Sequence, residues 1–145
     1  MRFDLIFVCL FHLSIYSQEN VFNFKESDVI LSNDLVTFRA ISAPCYDSVY
    51  KRKTNDVFLE VINKTNKKIE INFIQKLYYD GDCLTCDDLD ISYRLMLGPH
   101  KSLKGTCLEA TNFKSLRLKG CYKTVNGFQF LTGYKIKLLN SKIIN

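Results

Sequence analysis

The stretch Val57–Cys86, VFLEVINKTNKKIEINFIQKLYYDGDCLTC, decides the fold of this chain. It holds two runs with an apolar residue at every second position, first Val57, Leu59 and Val61, then Ile69, Ile71 and Phe73. Side chains alternate between the two faces of a strand, so each run predicts a strand with one apolar face. The polar segment Asn63–Lys67 between the runs has the length of a hairpin loop. The stretch therefore predicts a β-hairpin of two long strands that leads into an acidic loop.

Shorter runs with the same period lie on both sides of this stretch, and no segment shows a helical pattern of ten or more residues. A proline cannot donate to a β-ladder, so Pro44 is expected to end the strand that starts at Leu35. The segment Tyr46–Asp56 is expected to be a polar, basic loop, and Gly98-Pro99-His100 a turn. The predicted strands are Leu35–Ile41, Ile91–Leu97, Lys101–Thr106, Leu116–Leu118 and Tyr134–Leu138, with one or two more in Val21–Leu31.

The dipeptide Asn126-Gly127 predicts a tight type I′ hairpin turn near the end of the chain. A two-residue turn at this position would set Leu118 opposite a lysine, so that apolar and charged side chains would share one face. One extra residue, a β-bulge at Gly133 or Gly120, would instead set Leu118 opposite Ile136. The sequence therefore predicts a bulge in the last hairpin.

About eight short strands separated by turns predict an all-β fold, either an antiparallel β-sandwich or a small barrel. The order of an Asn-rich turn at Asn63–Asn66, a long strand and the turn Leu97-Gly98-Pro99-His100-Lys101-Ser102 resembles immunoglobulin-like secreted sandwiches. This resemblance implies a fold and not a function. The chain has 145 residues, enough for a single domain, and it has no Trp, which true immunoglobulin domains carry in their core.

The N-terminus has the pattern of an export signal. A basic start at Met1-Arg2 precedes the apolar run Leu5–Ile15 and the small residue Ser17. The run is shorter than the roughly 20 apolar residues that span a bilayer. We expect a signal peptide at residues 1–17 and one mature domain at residues 18–145, without a transmembrane span. The alternative is a buried N-terminal strand. An exported chain would be secreted or periplasmic.

The mature chain would contain five cysteines, and an oxidising compartment makes disulfides the expectation. They are Cys45, Cys83, Cys86, Cys107 and Cys121. Two bridges leave one thiol, and the sequence alone does not choose the pairing. Cys83-Leu-Thr-Cys86 allows a redox pair, or a zinc site completed by Cys107 and Cys121. The favoured interpretation is a bridge from this loop to a neighbouring strand, through Cys107 or Cys121.

Two further patterns indicate candidate sites in loops. The first is the aspartate-rich loop Asp80–Asp90, whose carboxylates could supply the oxygen ligands that calcium prefers. Their spacing departs from the helix-loop-helix pattern, so solvated aspartates are the favoured interpretation. The motif Asn63-Lys64-Thr65 matches a glycosylation acceptor in an exposed turn, if the host is eukaryotic. The candidate calcium ligands are Asp80, Asp82, Asp87, Asp88 and Asp90.

The two histidines limit catalytic chemistry. His12 lies in the predicted signal, so a triad or a metal site in the mature chain would have only His100, which follows Gly-Pro in a turn. We therefore predict no catalytic site, and the sequence implies no cofactor. The favoured function is a non-catalytic binding or structural module outside the cytoplasm. The alternatives are a calcium or zinc module that uses the Asp80–Asp90 loop and the cysteines, and a thiol oxidoreductase or other small enzyme.

The charge pattern bears on partners. The formal net charge is +5. The segment from Lys101 to the end contains nine Lys or Arg and a single carboxylate, Glu109. A basic segment of this kind favours an anionic polymer or a membrane surface, but lysines also keep strands soluble and protect sheet edges, which is the favoured interpretation. The sequence does not identify a partner; the candidate classes are an extracellular or cell-surface protein and an anionic polymer, and nucleic acid is not expected.

Overall fold

The computed structural model describes residues 27–86, 92–108 and 114–144. The predicted signal peptide and the start of the mature chain lie outside these residues. The strands are β1 (Asp28–Ser32), β2 (Val36–Asp47), β3 (Arg52–Asn63), β4 (Ile69–Tyr79), β5 (Asp82–Cys83), β6 (Tyr93–Leu97), β7 (Ser102–Lys104), β8 (Arg117–Leu118), β9 (Cys121–Thr124) and β10 (Gly127–Ile143), with a 3₁₀ turn at Lys114–Leu116.

These strands form two antiparallel sheets of five strands each. Sheet 1 has the order β1-β2-β3-β7, and β8 also pairs with β3. Sheet 2 has the order β5-β4-β10-β9, and β6 also pairs with β4. The prediction of an all-β sandwich-like single domain is confirmed, and the sheets do not close into the small barrel that was the alternative.

The predicted central hairpin is wrong, although both of its strands exist. β3 pairs with β2, β7 and β8 in sheet 1, whereas β4 pairs with β10, β5 and β6 in sheet 2. The segment 64–68 crosses from one sheet to the other. The two apolar faces therefore oppose each other across the core. A period-two pattern identifies which residues share a face of a strand. It does not identify the pairing partner, because the apolar face can be buried by a strand of the facing sheet without any hydrogen bonding between the two strands.

The core lies between these two faces. Phe38 of sheet 1 and Phe73 of sheet 2 meet edge to face, with ring centroids 5.2 Å apart. Such aromatic pairs contribute beyond their buried area. The buried cluster consists of Val36, Phe38, Ala40, Val57, Leu59, Val61, Ile69, Ile71, Phe73, Leu95, Leu97, Leu116 and Leu118.

Each sheet has an outer strand that is interrupted by an excursion. β7 and β8 follow one another along the same edge of β3, opposite Glu60–Ile62 and Val57–Phe58 respectively. β5 and β6 follow one another along the same edge of β4, opposite Tyr78–Tyr79 and Ile69–Phe73. The interruption in sheet 1 lies between Lys104 and Arg117, and the interruption in sheet 2 lies between Cys83 and Tyr93. Each begins at or close to a disulfide cysteine.

The expectation that Pro44 ends its strand is wrong. β2 continues to Asp47, and Pro44 lies opposite Asn55 in β3. The predicted loop Tyr46–Asp56 shrinks to a short turn, because Arg52–Asp56 belong to β3. β1 pairs with β2 only as far as Ala40. Among the described residues, β2 therefore has no strand on its second side at Pro44. A proline is tolerated there because its missing N–H would have no partner on that side.

The last hairpin differs from the prediction in two ways. Gly127 lies opposite Thr124, so the turn residues are Val125 and Asn126, and only Gly127 has a positive φ, 127°. A type I′ turn needs positive φ at both central residues, so that prediction is wrong. Asp80 and Gly81, with φ of 48° and 91°, satisfy the type I′ requirement between β4 and β5.

The predicted partner of Leu118 is also wrong. Leu118 pairs with Val57 of sheet 1, and Ile136 pairs with Gln75 of β4. The register of β10 does shift between Leu131 and Gly133, as a bulge at Gly133 requires, but the shift is against β4.

Candidate functional site

An exposed cluster of aromatic rings around one arginine is the most distinctive surface of the described chain. Tyr50 lies in the turn between β2 and β3, and Arg52 begins β3; Phe128 and Phe130 lie on β10. The Tyr50 and Phe128 rings meet edge to face at 5.6 Å between centroids. The Arg52 guanidinium carbon lies 4.3 Å from the centroid of Phe128 and 5.5 Å from that of Phe130. We call these four residues the aromatic–arginine surface.

The rings of this surface remain accessible to solvent. Phe130 is 48% exposed and Tyr50 is 39% exposed. Val49 in the same turn as Tyr50, and Val125 in the turn that precedes Phe128, are also exposed. Exposed apolar side chains that are grouped rather than scattered mark interaction sites. Tyr and Arg are enriched among the residues that dominate binding energy at protein interfaces.

The turn that presents Tyr50 is held by Asp47. Its Oδ1 accepts hydrogen bonds from the backbone N–H of Val49 at 2.9 Å and of Tyr50 at 3.0 Å. Side chains of Asp commonly fix turns in this way. Lys51 has a φ of 49°, in the left-handed region, which completes the reversal of the chain. The local backbone therefore positions Tyr50 and Arg52 against the two phenylalanines.

A buried carboxylate fastens the other half of the surface. Asp56 is fully buried, and its Oδ2 accepts from Arg117 Nε at 2.6 Å. Its Oδ1 accepts from Thr54 Oγ1 and from the backbone N–H of Gly120. Gly120 immediately precedes β9, so this bond places the β9–β10 hairpin beside β3. A Cβ on Gly120 would collide with the carbonyl oxygen of Asn55, so glycine is required at this close approach.

The network beneath the surface contains two further groups with shifted acidity. The Tyr79 hydroxyl donates to the backbone oxygen of Lys119 at 2.8 Å. Burial, followed by the neighbouring Asp56, raises the pKa of Tyr79 to about 12. Burial also raises the pKa of the Cys121 thiol, against the opposing effect of Arg52. A protonated thiol is a poor nucleophile, so this position does not favour thiol chemistry at Cys121.

The disulfides differ from the favoured interpretation. Cys45 bonds to Cys107, with Cα atoms 5.6 Å apart, and Cys83 bonds to Cys86, with Cα atoms 5.5 Å apart. The expected bridge from Cys83 or Cys86 to Cys107 or Cys121 is wrong, because β5 lies at the edge of sheet 2 whereas Cys107 is fastened to β2 of sheet 1. Cys121 is the free cysteine of the described chain.

This pairing bears on the redox and zinc alternatives. Sulfur atoms in a disulfide do not act as thiolate ligands, so Cys121 alone is too few for a cysteine zinc site. The bond between Cys83 and Cys86 is the oxidised state that a redox pair would adopt, and the Sγ of Cys86 lies 3.8 Å from the Tyr78 hydroxyl. The redox alternative stays a prediction.

The acidic loop is described only in part. Asp80 Oδ1 accepts from the backbone N–H of Phe130, whose carbonyl accepts from Asp80 N, so Asp80 supports the aromatic–arginine surface. Asp82 is exposed. Asp87, Asp88 and Asp90 lie outside the described residues. Across residues 27–86, 92–108 and 114–144, no group of three or more His, Cys, Asp or Glu is placed to hold a metal ion.

Asn63 is not in an exposed turn, as the glycosylation hypothesis assumed. It is 1% exposed, and its Nδ2 donates to the carbonyl oxygens of Lys67 and Gly98, each at 2.7 Å. Its Oδ1 accepts from the backbone N–H and the hydroxyl of Thr65. A glycan on this nitrogen would have to displace bonds that join two turns. Glycosylation itself stays a prediction.

His100 lies in one of these turns, in the predicted position. It is exposed, has a φ of 51°, and its backbone N–H donates to the Thr65 carbonyl. The turn that contains His100 is bonded to Asn63, the last residue of β3. Cys121 lies near Asp56, seven residues earlier in the same strand. Seven residues of a strand span about 23 Å, so His100 and the free thiol are far apart.

The aromatic–arginine surface was not predicted from the sequence. One signal was present, because Phe128 and Phe130 flank a single residue and must share a face of β10. No sequence pattern indicated that Arg52, in a predicted loop, would reach them.

Within the described ranges, no helix is long and apolar enough to cross a bilayer. No protein-family model matches the chain, and no curated protein and no solved structure is significantly similar to it.

Proposed function

We propose that this chain is an exported, non-catalytic binding module that uses the aromatic–arginine surface to hold a protein partner. The observation that carries the proposal is the stacking of Arg52 over Phe128 while Phe130 and Tyr50 stay exposed. Two hairpins from different sheets build this surface, and hydrogen bonds accepted by the side chains of Asp47, Asp56 and Asp80 hold them. A preorganised surface loses less conformational entropy on binding.

The charge around the surface indicates the chemistry of the partner. Lys51 and Lys53 flank Arg52 along the chain and are exposed, and Lys123 lies directly opposite Phe128. An arginine stacked on aromatic rings keeps its N–H groups available for a carboxylate in the plane of the guanidinium. The partner we infer presents an acidic side chain beside an apolar contact. The two disulfides support a location in an oxidising compartment.

Site-specific photo-crosslinking tests this proposal. A photoreactive residue at Tyr50 is expected to capture one extracellular or cell-surface protein on intact source cells. The same residue at Val29, an exposed apolar position on β1, is the matched control and is expected to capture none. The purified partner should then bind the wild-type chain, and Arg52→Ala should weaken binding by roughly tenfold or more.

Two results would contradict the proposal. Equal capture from positions 50 and 29 would mean that the surface is not selective. Unchanged affinity of the captured protein for the Arg52→Ala variant would mean that the contact lies elsewhere.

A further inference from the structure

The outward faces of the two sheets carry very different charge. On sheet 1, Arg39 lies directly opposite Glu60, and Glu60 lies directly opposite Lys104, so the signs alternate across the strands. On sheet 2, Lys135 of β10 lies directly opposite Lys76 of β4. Directly opposite residues point to the same face and have Cβ atoms about 5 Å apart, so these two ammonium groups repel each other.

Other bases extend this pair into a basic face. Lys137 and Lys142 lie on the same side of β10, opposite Ile74 and Glu70, and Arg94 of β6 lies opposite Asn72. Glu70 is the single carboxylate on this face among the described residues, and it is paired with Arg94 and with Lys142, the latter at 3.3 Å. This face therefore carries five basic side chains and one carboxylate. We call these five bases and the surface between them the lysine face.

Protection of a sheet edge does not account for the lysine face. Lysines on an exposed edge strand prevent pairing with other chains, and this would explain Lys135 and Lys137 on β10. It does not explain Lys76, because β4 has partners on both sides. Neither β5 nor β6 reaches Lys76 along this edge of β4. The hydroxyl of Thr85 covers the gap, since it accepts from the N–H of Leu77 and donates to the carbonyl of Gln75. Lys76 is thus an interior position.

We propose that the lysine face binds a linear sulfated polysaccharide that runs along β10. The row from Lys135 to Lys142 spans seven residues, about 23 Å in an extended strand. Rows of sulfate groups would lie between Lys76 and Lys135, and would relieve the repulsion that the sheet builds in. Lysine ammonium groups bind such anions as point charges. This surface is separate from the aromatic–arginine surface, and the proposal does not depend on the protein partner inferred above.

The test is a titration of the full chain with a heparin octasaccharide at about 0.15 M salt. We expect Lys76→Gln/Lys135→Gln/Lys137→Gln to weaken binding by roughly tenfold or more. The control Lys67→Gln/Lys101→Gln/Lys104→Gln removes the same charge from exposed positions elsewhere, and it should change binding by less than about threefold. Replacement of the same three face lysines by arginine should keep the affinity. Raising the salt should weaken binding of the wild-type chain steeply.

A second measurement separates binding from folding. Lys76→Gln should raise the melting temperature at low salt, because it removes the like-charge pair, and this gain should vanish at high salt. Three outcomes overturn the proposal: no binding of the octasaccharide by the wild-type chain, equal loss in both triple variants, or binding of vesicles of phosphatidylcholine and phosphatidylserine in place of the octasaccharide. The crosslinking result at Tyr50 is unaffected by any of them.

Discussion

Strand β3 buries one polar side chain in its first half, Asp56, and another at its last residue, Asn63. We call these two regions the Asp56 end and the Asn63 end. Asp56 is charged and ionically paired, whereas Asn63 is neutral and bonded to backbone groups in two turns. Both are at most 1% exposed. The neutral amide exchanges bonds to water for bonds to the chain and leaves no charge to compensate. The carboxylate depends on Arg117, so the Asp56 end is the more vulnerable to substitution.

The two ends also differ in what they hold together. Asn63 joins the 64–68 and 98–101 connections, which cross between the sheets. Asp56 joins β3 to Gly120 directly, and its partner Arg117 donates to the carbonyl of Cys107 at 2.7 Å. The Asp56 end therefore fixes both the disulfide-linked excursion and the hairpin that carries Phe128. The stability of the Asp56 end and the proposed binding surface therefore share a single ion pair.

The largest effect is expected from Asp56→Asn. The amide keeps the shape but leaves Arg117 buried without a counter-charge, which destabilises a fold by roughly 3–5 kcal/mol. Urea unfolding at neutral pH measures this loss, and the exposed Asp82→Asn is the matched control with an expected change near zero. Asp56→Leu with Arg117→Met should recover part of the loss, because no charge is then buried. A cost below 1 kcal/mol for Asp56→Asn would remove the distinction between the two ends.

The second effect is expected from the disulfide between Cys45 and Cys107, which lies at the Asp56 end. Cys45 and Cys107 are separated by 62 positions, so their bond closes a long loop in the unfolded chain. The chain-entropy model gives roughly 4 kcal/mol for such a loop and roughly 2 kcal/mol for a loop of three or four residues. Cys45→Ser/Cys107→Ser should therefore destabilise the protein more than Cys83→Ser/Cys86→Ser. Urea midpoints of the two double variants provide the measurement, and the reverse order would contradict the expectation.

A third, smaller effect is expected at the other end of β3. Asn63→Ala removes the bonds to Lys67, Gly98 and Thr65 without burying a charge, so a loss of roughly 2 kcal/mol is expected. Asn66→Ala lies in the same connection and is exposed, and it should change stability by less than about 0.5 kcal/mol. Chemical unfolding of both variants tests this. Equal losses at positions 63 and 66 would mean that the buried amide contributes nothing specific.

Neither polar centre was predictable from the sequence, whereas most strands were. Alternation identified the apolar faces of β3, β4, β6 and β10, because burial imposes a period of two on any half-buried strand. The position of Asp56 inside a strand was missed for a definite reason. Pro44 was expected to stop β2, and the residues opposite it were assigned to a loop.

Pairing was the other property that the local pattern did not contain. The connection 64–68 is as short as a hairpin loop, yet it leads to the facing sheet. Asp56 and Arg117 are 61 positions apart, and the pair forms only once β8 has joined β3. The aromatic–arginine surface depends on the same long-range event. Sites assembled from different sheets require the topology first, and the topology here was set by face-to-face packing that alternation leaves open.

The smallest effect is expected from Tyr79→Phe, and it depends on pH. At neutral pH the variant loses the bond to the Lys119 carbonyl, a loss of about 1 kcal/mol. The pKa of Tyr79 is raised from 10 to about 12 in the folded protein, first by burial and then by Asp56, Tyr122 and Cys121. Below pH 10 the tyrosine is protonated whether the chain is folded or unfolded, so its ionisation does not affect stability. Between pH 10 and 12 the unfolded chain releases the proton while the folded chain retains it, so stability falls as the pH rises.

Phenylalanine has no proton to release, so the deficit of the Tyr79→Phe variant relative to wild type should shrink above pH 10. Urea midpoints of both proteins from pH 7 to pH 11.5 measure that difference. Other groups that titrate in this range, including Cys121, are common to both proteins, and their own contributions largely cancel. Tyr46→Phe, at an exposed position, serves as the control and should show no such trend. A deficit that stays constant up to pH 11.5 would mean that the Asp56 end does not disfavour a second negative charge. Its difference from the neutral Asn63 end would then be one of geometry alone.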